Sequence, residues 1–505
     1  MSASEVAEVK KHAASTVKVD TSMKSDEDVT EGSYADVTAG SQSLHRSLRG
    51  PEVQLFAIGG AIGTLGGWRP RVCYGLELLP EHGDPGFEVV AMNIMITFWA
   101  DKIPVEAIIV AIILLYAFLN AVTVRFFGIS EFYRSIGKVL LMLMLFLFTF
   151  ITMVGGNPLH DRYGFRYWNK PGAFIEYNAS GDTGSFLGVL SCVHQASFSI
   201  TGPEYISMVA AETENPRKIL PPAFKSFAWR ILVFFVGSAL CIGIVIPSDS
   251  PTLLAILGGE ISGSGTGAAS PYVIAMQRLQ IGGLPHLVNA LIMTSIFSAG
   301  NALLYAATRT LHGTSLEGHA PRIFSYCTKR GVPLWALCFS LSFCLLAFLQ
   351  VRSSSAVVMG YLVVLITCCQ MLNYGFTAFA YRHFYLALRK QGISRDTLPY
   401  KGRFQPYTSY VAMGGPLFMI FAGGCDVFLK GNWSVMWFFL DYGMIGFFVL
   451  AFVFWKLFFK SSYVRPGIAD LSLGGLKDEI DKYEEMSVPL ERGRVLGKMI
   501  GKIFE

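Results

Sequence analysis

The chain has 505 residues, 52% of them hydrophobic and 15% charged, with a mean hydropathy of +0.46. Soluble proteins carry about 25% charged residues, and a soluble chain this apolar would expose large adhesive patches. The composition excludes disorder over most of the length and predicts a polytopic membrane protein, while the modest net charge of +5, spread over tails and loops, argues against nucleic acid as a partner.

Residues 1–50 are rich in Ser, Lys, Asp, Glu and Thr and read as a disordered cytosolic tail. The opening MSASEVAEVKKHAAS is polar, and no signal peptide is visible in it. Leu55–Gly67 is apolar but too short to cross a bilayer, which takes about 20 residues. Phe87–Trp99 is short as well, and the stretch GWRPRVCYGLELLPEHGDPG between them is too polar for lipid. Nine spans follow: Val105–Val124, Ile136–Val154, Phe186–Ala211, Phe227–Ile246, Leu287–Leu311, Pro333–Gln350, Val357–Tyr381, Tyr410–Leu429 and Val435–Leu457. The loop GGEISGSGTGAAS lacks the lysine of a phosphate-binding loop and reads as an external linker. Beyond Lys460 the chain turns polar again, and 461–505 forms a second cytosolic tail in which LKDEIDKYEEM has the charge spacing of a short surface helix. Nine cysteines, mostly in apolar runs and without a CxxC pair, read as buried free thiols; no HExxH suggests a metal site.

Basic residues set the expected orientation. Arg125 and Arg134 lie in one loop, Arg217, Lys218 and Lys225 in the next of the same set, then Arg309, Arg322, Lys329 and Arg330, and then Arg382 through Arg403. The alternate loops are poor in basic residues, apart from 155–184, where Arg162, Arg166 and Lys170 are offset by Asp161, Glu176 and Asp182. The basic loops and both termini are therefore expected in the cytosol, which places the sequons at Asn178 and Asn432 outside.

The span FLGVLSCVHQASFSITGPEYISMVAA carries Gly202-Pro203 in its middle, followed by Glu204. Proline removes a helical hydrogen bond, and a helix broken at mid-depth frees backbone groups that transporters use to hold substrate; a simple kink is the alternative. His194 in the same span reads as a packing residue before a substrate contact. Gly59, Gly60, Gly63 and Gly66 make the first stub a poor helix, either a close-packing face or a second broken helix. Lys138 either snorkels to the interface or occupies an ion site.

The run VQLFAIGGAIGT resembles the opening of fungal amino-acid permeases of the amino acid–polyamine–organocation superfamily. GPEYISMVAAETENPRKILP resembles their sixth span and following loop, and FSAGNALLYAATRTLHG their eighth span. TFITMVGGNPLHDRYGFRYWNKPGAF is similar to the branch called dicarboxylic amino acid permeases, which take up glutamate and aspartate. The resemblance covers about 51–460, a transport domain truncated near 66–86. It implies an all-α polytopic membrane protein with the five-plus-five inverted repeat of the LeuT type, lacking most of spans 1–3. It also implies proton symport of amino acids at the plasma membrane. The first broken helix would place Ile62, Gly63 and Thr64 at the substrate, and the second Phe198, Ser199, Ile200, Thr201 and Gly202, with Glu204 beside them. Ser298 and Asn301 match a polar face of the eighth span, and Lys138 a lysine of the fifth, the ion-coupling position.

The chain departs from the family after Gly63-Thr64, where Leu65-Gly66 stand in place of Gly-Leu and about two spans are missing. Either the sequence is a truncated gene model or splice form, or the chain lacks part of its own binding site. The expected function is amino-acid transport, acidic substrates favoured, without cofactor or metal. A transport-inactive or amino-acid-sensing membrane protein is the alternative. No nucleophile–base set suggests an enzyme. The expected partners are amino acids, protons and the lipid bilayer, with the tails offered to cytosolic trafficking or ubiquitination machinery.

Overall fold

The computed structural model describes residues 85–471 apart from 101, 123, 175, 201–215, 253, 255–269, 317, 319, 352–354, 399 and 459–463. The first stub, both expected tails up to 84 and beyond 471, the Gly202-Pro203 break and nearly all of the Gly/Ser-rich loop lie outside the described residues. Among the described residues the regular structure is helical, as expected for an all-α membrane protein. In chain order the helices are α1 (Pro85–Ile96), α2 (Val105–Val122), α3 (Val124–Met153), α4 (Gly181–Ile200) and α5 (Arg217–Val245). After them come α6 (Pro271–Arg278), α7 (Leu284–Leu316), α8 (Leu334–Val351), α9 (Ser355–Lys390), α10 (Tyr407–Gly423) and α11 (Val435–Phe458).

Seven of the described helical stretches are long and apolar enough to cross a membrane, against nine spans expected. The two that fall short have different reasons. The apolar part of α2, Val105–Ala121, ends a few residues below the length needed. The described part of α4 stops at Ile200, before the rest of its expected span. The second stub does form a helix, α1, and its end is joined to the start of α7 where Trp99 Nε1 donates to His286 Nδ1 at 3.1 Å.

A lipid-facing and a protein-facing side can be read along α3. Leu140, Leu143, Leu147, Phe150 and Ile151 are exposed, whereas Leu141, Leu145, Phe148, Thr149 and Thr152 are buried. Spacings of three and four residues put each set on one face of a helix. The two buried threonines return their hydroxyls to the carbonyls of Leu145 and Phe148, at 2.9 and 2.7 Å, so no polar group is left to the apolar interior. Outside the spans, Arg166 grips Asp161 through two bonds of 3.1 and 2.6 Å and holds that carboxyl below its usual range. Part of the expected charge offset in the 155–184 loop is thus a direct pair.

The helix α3 starts twelve residues before the expected span at Ile136. Arg134, read from the sequence as a loop residue, lies within it. The stretch RFFGISEFYRSIGK contains no proline, and its charges repeat at helical spacing, so nothing breaks the helix there. The thiol expectation holds in part: Cys344, Cys368 and Cys369 are buried and in no disulfide, but Cys192 and Cys338 lie exposed on helix surfaces.

The principal core forms where α1, α2, α7, α8 and α9 meet, around Val90, Ile109, Tyr116, Leu304, Leu337 and Ile366, with Phe198 of α4 packed against it. Gly300 permits the close approach of α7 to α1 and α2. A Cβ there would stand 2.2 Å from Tyr116 Oη and 2.9 Å from Glu88 Cβ. Tyr116 is fully buried. Gly300→Ala is therefore expected to cost about 1–3 kcal/mol through overpacking and to lower the melting temperature of the detergent-purified chain. Gly313→Ala, on the same helix with open space around it, is the control and should melt no lower than the parent. Equal melting of all three chains would contradict this packing.

Candidate functional site

Helix α7 carries several of the polar groups buried in the helices. Its face carrying Ser298 and Asn301 is turned inward, and both residues are essentially inaccessible. They lie three positions apart, so one helical face presents both.

Ser298 meets α3. Its hydroxyl donates to the carboxylate of Glu131, lying 2.6 Å from Oε1 and 2.8 Å from Oε2. Glu131 is 1% exposed, and a buried carboxylate is tolerated only when neutralised and hydrogen-bonded. Two cations of the same helix answer that need. Lys138 Nζ lies 3.4 Å from Oε1 and Arg134 Nη2 lies 3.5 Å from Oε2. The Arg134 guanidinium also stands over the ring of Phe297, 5.8 Å from its centroid, within range of a cation–π attraction. Adjacent residues of α7 thus hold adjacent parts of one charge cluster on α3.

Asn301 meets α2. Asn120 Nδ2 donates to Asn301 Oδ1 at 2.9 Å and to its own helix at Tyr116 O, 3.0 Å away. Around this bond Tyr116 Oη, Asn120 Oδ1 and Asn301 Nδ2 are buried without a hydrogen-bond partner among the described residues. Buried polar atoms are ordinarily paired, so this junction can take further hydrogen bonds from water or from a small polar solute.

Of the residues expected at the site, the structure brings together Lys138 and Ser298, with Asn301 one turn away. Phe198 lies near the end of the described part of α4, edge-on to Phe87 of α1 at 5.3 Å between ring centroids. Ser199 and Ile200 close the same helix. Ile62, Gly63, Thr64, Thr201, Gly202 and Glu204 lie outside the described residues. His194 packs its ring against α10, where a Cβ on Gly423 would stand 2.0 Å from its Nδ1. Sequence reasoning missed Glu131, Asn120 and Tyr116. For Glu131 a signal was present: Glu131, Arg134 and Lys138 follow at steps of three and four, one helical face.

The sequence profile of the amino acid permease family matches residues 85–465. A general amino acid permease of Saccharomyces cerevisiae, AGP2, is 40% identical over 380 residues, which cover 74% of this chain and 63% of that protein. A proline-specific permease of Emericella nidulans is 36% identical, covering 79% of this chain and 72% of that one. A dicarboxylic amino acid permease of Saccharomyces cerevisiae is 34% identical, with 79% and 66% covered. The chain therefore spans 63–72% of the length of these three relatives. With most of its length matched in this way, the chain belongs to the amino acid permease family.

Proposed function

We propose that the chain is a secondary active transporter that takes up amino acids together with protons, acidic ones preferred, at the plasma membrane with both termini in the cytosol. The observation that carries the reading is the buried charge cluster of Glu131, Arg134 and Lys138 held against Ser298 between two long helices. Ionisable groups inside membrane helices are costly and mark ion or substrate pathways. Lys138 is the proposed ion-coupling group. Ile62, Gly63 and Thr64, with Phe198, Ser199, Ile200, Thr201, Gly202 and Glu204, are the proposed substrate contacts at two broken helices, and Ser298 and Asn301 of α7 are proposed to complete the site. The relatives are named as permeases, which supports a transporter rather than an enzyme.

The acidic preference rests on the resemblance of residues 149–174 to the dicarboxylic branch. Identity does not single it out, since the relatives named for general and proline transport are 40% and 36% identical and the dicarboxylic one 34%. A second reading, a transport-inactive or amino-acid-sensing protein, is favoured by the departure from the family pattern after Thr64. The two tails are proposed docking sites for cytosolic trafficking machinery in either case.

Expression of the chain in cells lacking their own permeases should give uptake of labelled glutamate that rises as the outside pH falls. Unlabelled aspartate should compete far better than leucine or lysine. Equal competition by leucine and lysine would replace the acidic assignment with a broad one. Absence of all amino-acid uptake from a chain that reaches the plasma membrane would favour the second reading. Orientation is tested by single cysteines in a background without the native ones: a cysteine replacing Lys401 should resist impermeant reagents in intact cells, and one replacing Ser264 should react. The reverse pattern would invert the topology.

A further inference from the structure

Lys138 is the group to which the proposed function gives ion coupling, but the charge that it faces comes from a residue outside the expected site. Glu131 and Lys138 are seven positions apart, about 10 Å along the helix axis. Their charged atoms nevertheless lie 3.4 Å apart. The lysine stem therefore runs back along α3 toward the helix N-terminus, the direction in which helical side chains lean. Lys138 is 13% and Glu131 1% exposed, so water screens this pair far less than a surface pair.

We propose that Glu131 is a positioning residue for Lys138: its carboxylate holds the lysine ammonium inside α3, and Ser298 makes that hold conditional on α7 lying against α3. The inference rests on the ion-coupling reading of Lys138. The Ser298 hydroxyl reaches the same carboxylate from the opposite helix. A shift of α7 relative to α3 would break that contact and change the field that the ammonium experiences. Other titratable groups close by are Arg134 on α3, and Glu88 of α1, Tyr116 of α2 and Cys344 of α8, which lie within electrostatic reach of one another. On the side of α3 packed against α5, Cys241 comes near Thr149, three turns away.

Acetic anhydride modifies only the neutral form of an amine. Its reaction with Lys138 in the detergent-solubilised full chain, followed by mass spectrometry at one fixed pH, reads how firmly the ammonium is held without any need for transport. In Glu131→Gln the ammonium loses its carboxylate partner, and Lys138 should be modified about tenfold faster. Glu131→Asp keeps the charge but sets it back by one methylene, so its rate should fall between those of the parent and Glu131→Gln. Glu106→Gln, an exposed carboxylate of α2, should leave the rate unchanged. An unchanged rate in Glu131→Gln overturns the proposal. If that variant does not fold, Glu131→Asp decides alone, with the same reading of a faster or an unchanged rate. In uptake assays, Glu131→Gln should lose proton-driven accumulation while keeping exchange of labelled for unlabelled substrate, and Glu131→Asp should restore part of the accumulation. Loss of exchange and accumulation together in a folded variant would make Glu131 merely structural. Should the parent chain take up nothing, the transport reading fails, and the modification of Lys138 still decides the pairing with Glu131.

Discussion

A carboxylate that is 1% exposed imposes the tightest constraint in this fold. Removing such a charge from water costs several kcal/mol even after relaxation, and only close, well-directed partners offset it. Glu131 draws two cations from its own helix and a hydroxyl from α7, and the hydroxyl cannot be supplied unless the two helices touch. The requirement of one buried charge is thereby turned into a requirement on helix packing. Asn120 and Asn301 extend the same seam to α2, and the missing side chain at Gly300 lets α1 and α2 close over it.

The central position of α7 follows from where its polar groups go. Ser298, Asn301, Thr308, Arg309, His312 and Ser315 are all buried, and their spacing keeps them near one side of the helix. Their described contacts lie inside the protein: Thr308 returns to its own helix at Leu304 O, 2.7 Å away, and Arg309 stands 3.6 Å over the ring of Tyr305. His312 Nδ1 lies 3.0 Å from Phe324 O. On the outer helices the pattern reverses, with Phe439, Phe447, Leu450, Phe454 and Leu457 of α11 exposed. In water that surface would drive aggregation; in a bilayer it is the solvated face.

Much of this was legible in the order of residues. Apolar length alone located the seven described helices long enough to cross a membrane, because a bilayer demands about 20 apolar residues and little else does. The same measure misjudged the start of α3. It treats charged residues as loop, whereas Glu131 and Arg134 lie within the helix, where Glu131 pairs with both Arg134 and Lys138. Ser298 and Asn301 were visible as polar residues in an apolar run, but their partners were not, since Glu131 and Asn120 lie 167 and 181 positions away in sequence. Pairings over such distances depend on which helices become neighbours, and hydropathy carries no information about that.

The account stands on the coupling between Glu131 and Ser298, and a double-mutant cycle measures it directly. The unfolding free energy of the detergent-solubilised chain would be compared for the parent, Glu131→Gln, Ser298→Ala and the double variant. A hydroxyl bonded to a buried carboxylate contributes about 1.5–3 kcal/mol, so the cycle should return an interaction energy in that range. Additive losses, agreeing within about 0.5 kcal/mol, would mean that the two residues do not depend on each other and that the charge on α3 does not hold α7 in place.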